Sequence, residues 1–63
     1  MKIKFKNKKA FNTCYTFING NAFCFRNHNM SNIIEFYYEY ALLQVASICD
    51  NELGLKDKYE IIE

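Results

Sequence analysis

Among residue types that do chemistry, this chain offers three cysteines, Cys14, Cys24 and Cys49, and a single histidine, His28. Cys24 and His28 stand four apart, a spacing found in half of a zinc site, with Cys14 and Cys49 as the only completions. Structural zinc relies on closely paired ligands at both ends, and neither Cys14 nor Cys49 has a near mate. The same Cys24–His28 pair is the minimum for an activated thiolate. No third group stands at a recognisable spacing to orient it, and two glycines in all leave no loop to cradle a phosphate. The expectation is a non-enzymatic chain with no catalytic residue, no cofactor and no metal.

Charge is sharply divided. Residues 1–30 carry Lys2, Lys4, Lys6, Lys8, Lys9 and Arg26 and no acid. Residues 31–63 carry all seven carboxylates against Lys56 and Lys58, so a net charge of +1 conceals a basic half and an acidic half. Such asymmetry steers partners or self-association. The six cations are a candidate nucleic-acid face, since strand-based readers neutralise phosphates with lysine. A single arginine leaves little for base-edge contacts, and the same face suits an acidic protein.

The elements that would position these groups come from periodicity. Lys2 to Lys6 alternates charged and apolar residues, the pattern of a half-buried strand. Ala10 to Ile18, rich in Thr and aromatics, reads as a second strand and Ala22 to Arg26 as a third, joined by turns at Asn7–Lys9 and Asn19–Asn21. Three-residue loops there pair Phe5 with Phe11, Ile3 with Thr13, Phe17 with Phe23 and Tyr15 with Phe25. That register puts the aromatics on one face and Lys2, Lys4, Lys6 and Arg26 on the other; a one-residue slip would scatter both sets. Ser31 reads as an N-cap for one long helix ending near Leu53-Gly54-Leu55, a glycine stop. Its stripe of Ile34, Tyr37, Ala41, Val45 and Ile48 is expected to cover the aromatic sheet face. Lys58 to Ile62 returns as a short fourth strand, with a short helix the alternative for residues 55–63.

The expected architecture is therefore α+β: a three-stranded antiparallel meander (residues 1–30) packed on one long helix (31–54), in a single domain spanning 1–63. With 51% hydrophobic residues the chain is built to fold. A domain this small buries only about 60% of the surface its unfolded chain exposes. The helix carries more apolar residues than a narrow sheet can cover. Phe36, Tyr40 and Leu43, with Glu35 and Glu39 beside them, are the candidate partner-binding surface, for a foreign protein or a second copy in a homodimer.

The longest apolar stretch is interrupted by Glu35 and Glu39, so no membrane span is expected. An odd cysteine count and the alternating Met1–Lys6 start point to the reducing cytoplasm. Abundant Asn, Lys, Ile, Phe and Tyr with no Pro follow AT-rich codons. Such usage, with so short a chain, fits a protein of an AT-rich bacterium, its phages or mobile elements, and within that group an inhibitor or anti-defence protein.

Overall fold

A computed structural model describes residues 1–20 and 25–62. In chain order these form strand β1 (Lys2–Phe5), helix α1 (Lys8–Asn19), strand β2 (Phe25–His28), a 3₁₀ turn (Asn29–Ser31), strand β3 (Ile33–Phe36), helix α2 (Glu39–Asn51) and strand β4 (Tyr59–Ile62). The strands make one antiparallel sheet in the order β2-β3-β1-β4. Two βαβ units are thus interleaved: β3 lies between β1 and β2, and β1 between β3 and β4. This is the split βαβ arrangement of ferredoxin-like folds. The chain is α+β as expected, but with two helices and no meander.

The first correction concerns residues 8–19, expected as a turn and a strand. They form a helix because their apolar positions recur at helical spacing: Ala10, Phe11, Cys14 and Ile18 are buried, while Lys8, Lys9, Asn12, Thr13, Thr16 and Asn19 face out. Asn7 caps the helix rather than turning a hairpin, its side-chain oxygen accepting from the Ala10 amide at 2.8 Å. Burial of one clean face has overridden the strand preference of Phe, Thr and Tyr. The expected pairings of Thr13, Tyr15 and Phe17 with other strands do not form. Phe5 and Phe11 do meet, edge to face at 6.2 Å, but as strand against helix. Phe23, a predicted pairing partner, lies outside the described residues.

The second correction divides the expected long helix. Ile33-Ile34-Glu35-Phe36 alternates with period two, and as β3 it buries Ile34 and Phe36. Ser31 belongs to the 3₁₀ turn instead of capping a helix, and Asn32 follows at φ +57°, a left-handed conformation that Asn tolerates. The Asn32 carbonyl accepts from the Phe5 amide at 2.9 Å, tying this bend to the end of β1. Helix α2 starts only after Tyr38 and buries Ala41, Leu42, Val45, Ala46 and Cys49. Ile34 is inward from a strand and Tyr37 is exposed, so only Ala41 and Val45 of the predicted stripe line the core from a helix. The helix ends at Asn51, capped at Glu52, short of the predicted glycine stop; Gly54 instead turns the following loop at φ +66°, and Leu55 tucks back into the core with its amide on the Cys49 carbonyl.

Both helices pack on one side of the sheet, over Ile3, Phe5, Ile34 and Phe36. Fully burying an Ile or Phe contributes about 1.5–3 kcal/mol each. Residues 59–62 form the expected final strand, and β4 is tied to α2 through the Tyr59 hydroxyl, which donates to Asp50 Oδ1 at 2.7 Å. Burial, then the Asp50 carboxylate, raise the Tyr59 phenol above its ordinary pKa. Asn7→Ala should remove the α1 cap and cost about 1 kcal/mol, visible as a fall in Tm of roughly 4–8 °C. Asn7→Asp should largely retain stability.

Candidate functional site

The sheet leaves one face open, and strand register fixes what it displays. Across the four strands one row reads Arg26, Glu35, Lys2, Ile62, and the next reads His28, Ile33, Lys4, Glu60. Three cations therefore share the surface with two carboxylates. The sequence-predicted basic set divides here. Lys2, Lys4 and Arg26 lie on this face, and Lys6 follows just past β1. Lys8 and Lys9 open α1, in the helical layer on the other side. Lys8 sits with its Nζ 4.9 Å from the centre of the Phe11 ring. No aromatic stands on the two central strands of the open face to stack against a base.

Glu35, predicted beside Phe36 and Tyr40 on a helix, instead belongs to this open face. Its Oε1 lies 3.1 Å from His28 Nε2. The His28 hydrogen bond, helped by the charge of Lys2, lowers the Glu35 pKa below its ordinary value. His28 is thereby engaged on the open face, whereas Cys14 and Cys49 are buried on the helix side. Cys24, the fourth member of the imagined metal set, lies outside the described residues. Among the described residues no cluster of three or more His, Cys, Asp or Glu could hold a metal ion.

The second surface runs along α2. Phe36 is 3% exposed and belongs to the core, so the predicted trio is divided. Tyr40 and Leu43 are 71% and 55% exposed, with Glu39 exposed beside them. Tyr37 and Tyr38, which complete the cluster at 59% and 62%, were not among the predicted site residues. Their signal in the sequence is a tyrosine pair between the end of an alternating run and the first helical turn.

This surface continues to a sheet edge. The Tyr59 hydroxyl reaches Asp50, which lies seven residues after Leu43 on the same stripe of α2. Ile61 shares the Tyr59 side of β4, two residues closer to the start of α2, and is 49% exposed. Leu43 and Ile61 therefore line one margin of the molecule, next to the outer edge of β4, which pairs with no further strand among the described residues. The other edge, β2, presents Arg26 and His28 instead.

An open hollow of about 380 Å³ lies between the start of α1 and the loop after α2. Asn7, Lys9, Thr13, Gly54 and Lys58 are among its lining residues, and no carboxylate, imidazole or thiol stands in it. Among the described residues, no helix is long and apolar enough to cross a membrane. Compared with known proteins, the chain matches no family model, no curated protein and no solved structure.

Because hydrogen bonding lowers the Glu35 pKa in the folded state, its stabilising contribution is present above the unfolded value, about 4.3. That contribution is lost as pH falls through the lower folded value. A carboxyl-detected NMR titration should place the Glu35 midpoint below an ordinary glutamate, and His28→Ala should move it upward. An unshifted midpoint in both proteins would contradict the pairing.

Proposed function

We propose that the chain is a non-enzymatic protein-binding module whose recognition surface is the α2–β4 margin, centred on Tyr40 and Leu43. The observation that carries this reading is the exposure of Tyr37, Tyr38, Tyr40 and Leu43 within seven residues, beside the β4 edge of the described sheet. Contiguous apolar patches on small domains mark interaction sites, and Tyr is enriched in interfaces. An unpaired edge strand adds main-chain hydrogen bonds for a partner strand. Glu39 adds negative charge beside the margin, which favours a partner that is apolar at the centre and basic at the rim.

In its most specific form the proposal is an inhibitor of phage or mobile-element origin, an anti-defence protein or host-enzyme blocker that occludes a partner's site. Support for that form is indirect. It consists of the AT-rich residue usage and the small body of 25 × 23 × 22 Å. A homodimer through the same margin is the form the surface takes if the partner is a second copy. A nucleic-acid role for Lys2, Lys4, Lys6, Lys8, Lys9 and Arg26 has less support, because Glu35 and Glu60 interrupt the open face and Lys8 and Lys9 lie in the other layer.

Leu43→Glu and Ile61→Lys should each leave the fold intact and weaken association at least ~10-fold, the effect of a modest interface hot spot. Thr16→Glu on the outer side of α1 should leave it unchanged. Sedimentation and affinity titration of the purified protein with its partner provide the readout. Binding that survives both margin variants, collapses with Lys2→Ala or Lys4→Ala, and weakens steeply with salt would replace this reading with phosphate recognition.

A further inference from the structure

The two helices meet through a pair of sulfurs. Cys14, from α1, and Cys49, from α2, are both fully buried in the core, and the Cys49 thiol donates to Cys14 Sγ at 3.7 Å. They are 35 residues apart in sequence. A buried free cysteine is usually a small hydrophobe. Here two of them touch each other across a helix–helix seam, which an aliphatic pair would fill as well without the S–H···S contact. We propose that Cys14 and Cys49 are an oxidisable dithiol that a hydroperoxide converts into an intramolecular disulfide joining α1 to α2.

The chemistry balances with one peroxide per pair. One thiol loses its proton and attacks the peroxide, breaking the O–O bond; the sulfur becomes a sulfenic acid and the first water departs. The second thiol then displaces hydroxide from that sulfur, its proton completes the second water, and the S–S bond forms. Two thiols are oxidised and one peroxide is reduced. Contact with Cys49, then burial, raise the Cys14 thiol above its ordinary pKa, and either sulfur of the pair serves as the first nucleophile once the layer opens.

Bond formation needs the sulfurs to close from 3.7 Å to about 2.05 Å. Because both thiols are buried, peroxide reaches them through local opening of the helical layer. The crosslink closes a long loop, so it restricts the unfolded chain substantially.

The test uses the full chain carrying Cys24→Ser, which leaves only this pair. After hydrogen peroxide treatment, intact mass should fall by two hydrogens with the chain still monomeric. A non-reducing peptide map should link the Cys14 peptide to the Cys49 peptide. Tm should rise by roughly 10 °C or more, and dithiothreitol should reverse both changes. Added oxygen atoms in place of the two-hydrogen loss would overturn the proposal. So would crosslinked dimers, or two thiols that remain fully alkylatable after unfolding. Cys49→Ser in the same background should lose the mass change; if that variant fails to fold, the Cys24→Ser protein decides alone.

Discussion

The two central strands, β1 and β3, are each only four residues long, and that limit governs the rest of the structure. With side chains alternating, the two central strands present only Ile3, Phe5, Ile34 and Phe36 to the core. So small an inner face is covered by two helices of 12 and 13 residues that also pack on each other through Cys14 and Cys49. Once those layers close, α2 still carries Tyr40 and Leu43 outward, with Tyr37 and Tyr38 just before it. Their exposure follows from a core that is complete without them, not from a shortage of partners inside the chain.

The topology also explains why a divided sequence does not produce a divided sheet. The interleaved order sets β1, from the basic half, between β3 and β4, from the acidic half. Lys2 comes to lie opposite Glu35, and Lys4 opposite Glu60. Charge segregation survives only in the helical layer, where the outer side of α1 carries Lys8 and Lys9 and α2 carries Glu39 and Asp50. This arrangement interrupts the cations of the open face with carboxylates and leaves Tyr40 and Leu43 beside Glu39.

Part of this was legible in the sequence. The alternation of Lys2–Phe5, the turn at Gly54, the returning strand at Tyr59–Ile62 and the α+β class all follow from local patterns that the packing agrees with. The rest was hidden by two ambiguities of period. Ala10 to Ile18 contains strand-favouring residues on a helical repeat, and the repeat won because it buries a continuous face against the sheet. Ile33 to Tyr38 fits the start of a helix as readily as a strand. Pairing with β1 decided it, a long-range contact that no local window contains. The candidate surface was correspondingly half visible: Tyr40, Leu43 and Glu39 lie on α2, while Phe36 is core and Glu35 belongs to the opposite face. Ile61 becomes recognisable only when β4 comes to lie beside the α2 margin.

The central claim is that the core closes without the exposed cluster. Denaturant unfolding of a chain carrying Tyr38→Ser, Tyr40→Ser and Leu43→Gln together tests it most directly. The account predicts an unfolding free energy within about 1 kcal/mol of the original, as for surface substitutions. A loss of about 3 kcal/mol or more, the scale of an emptied core position, would show that these side chains hold the fold together and contradict it.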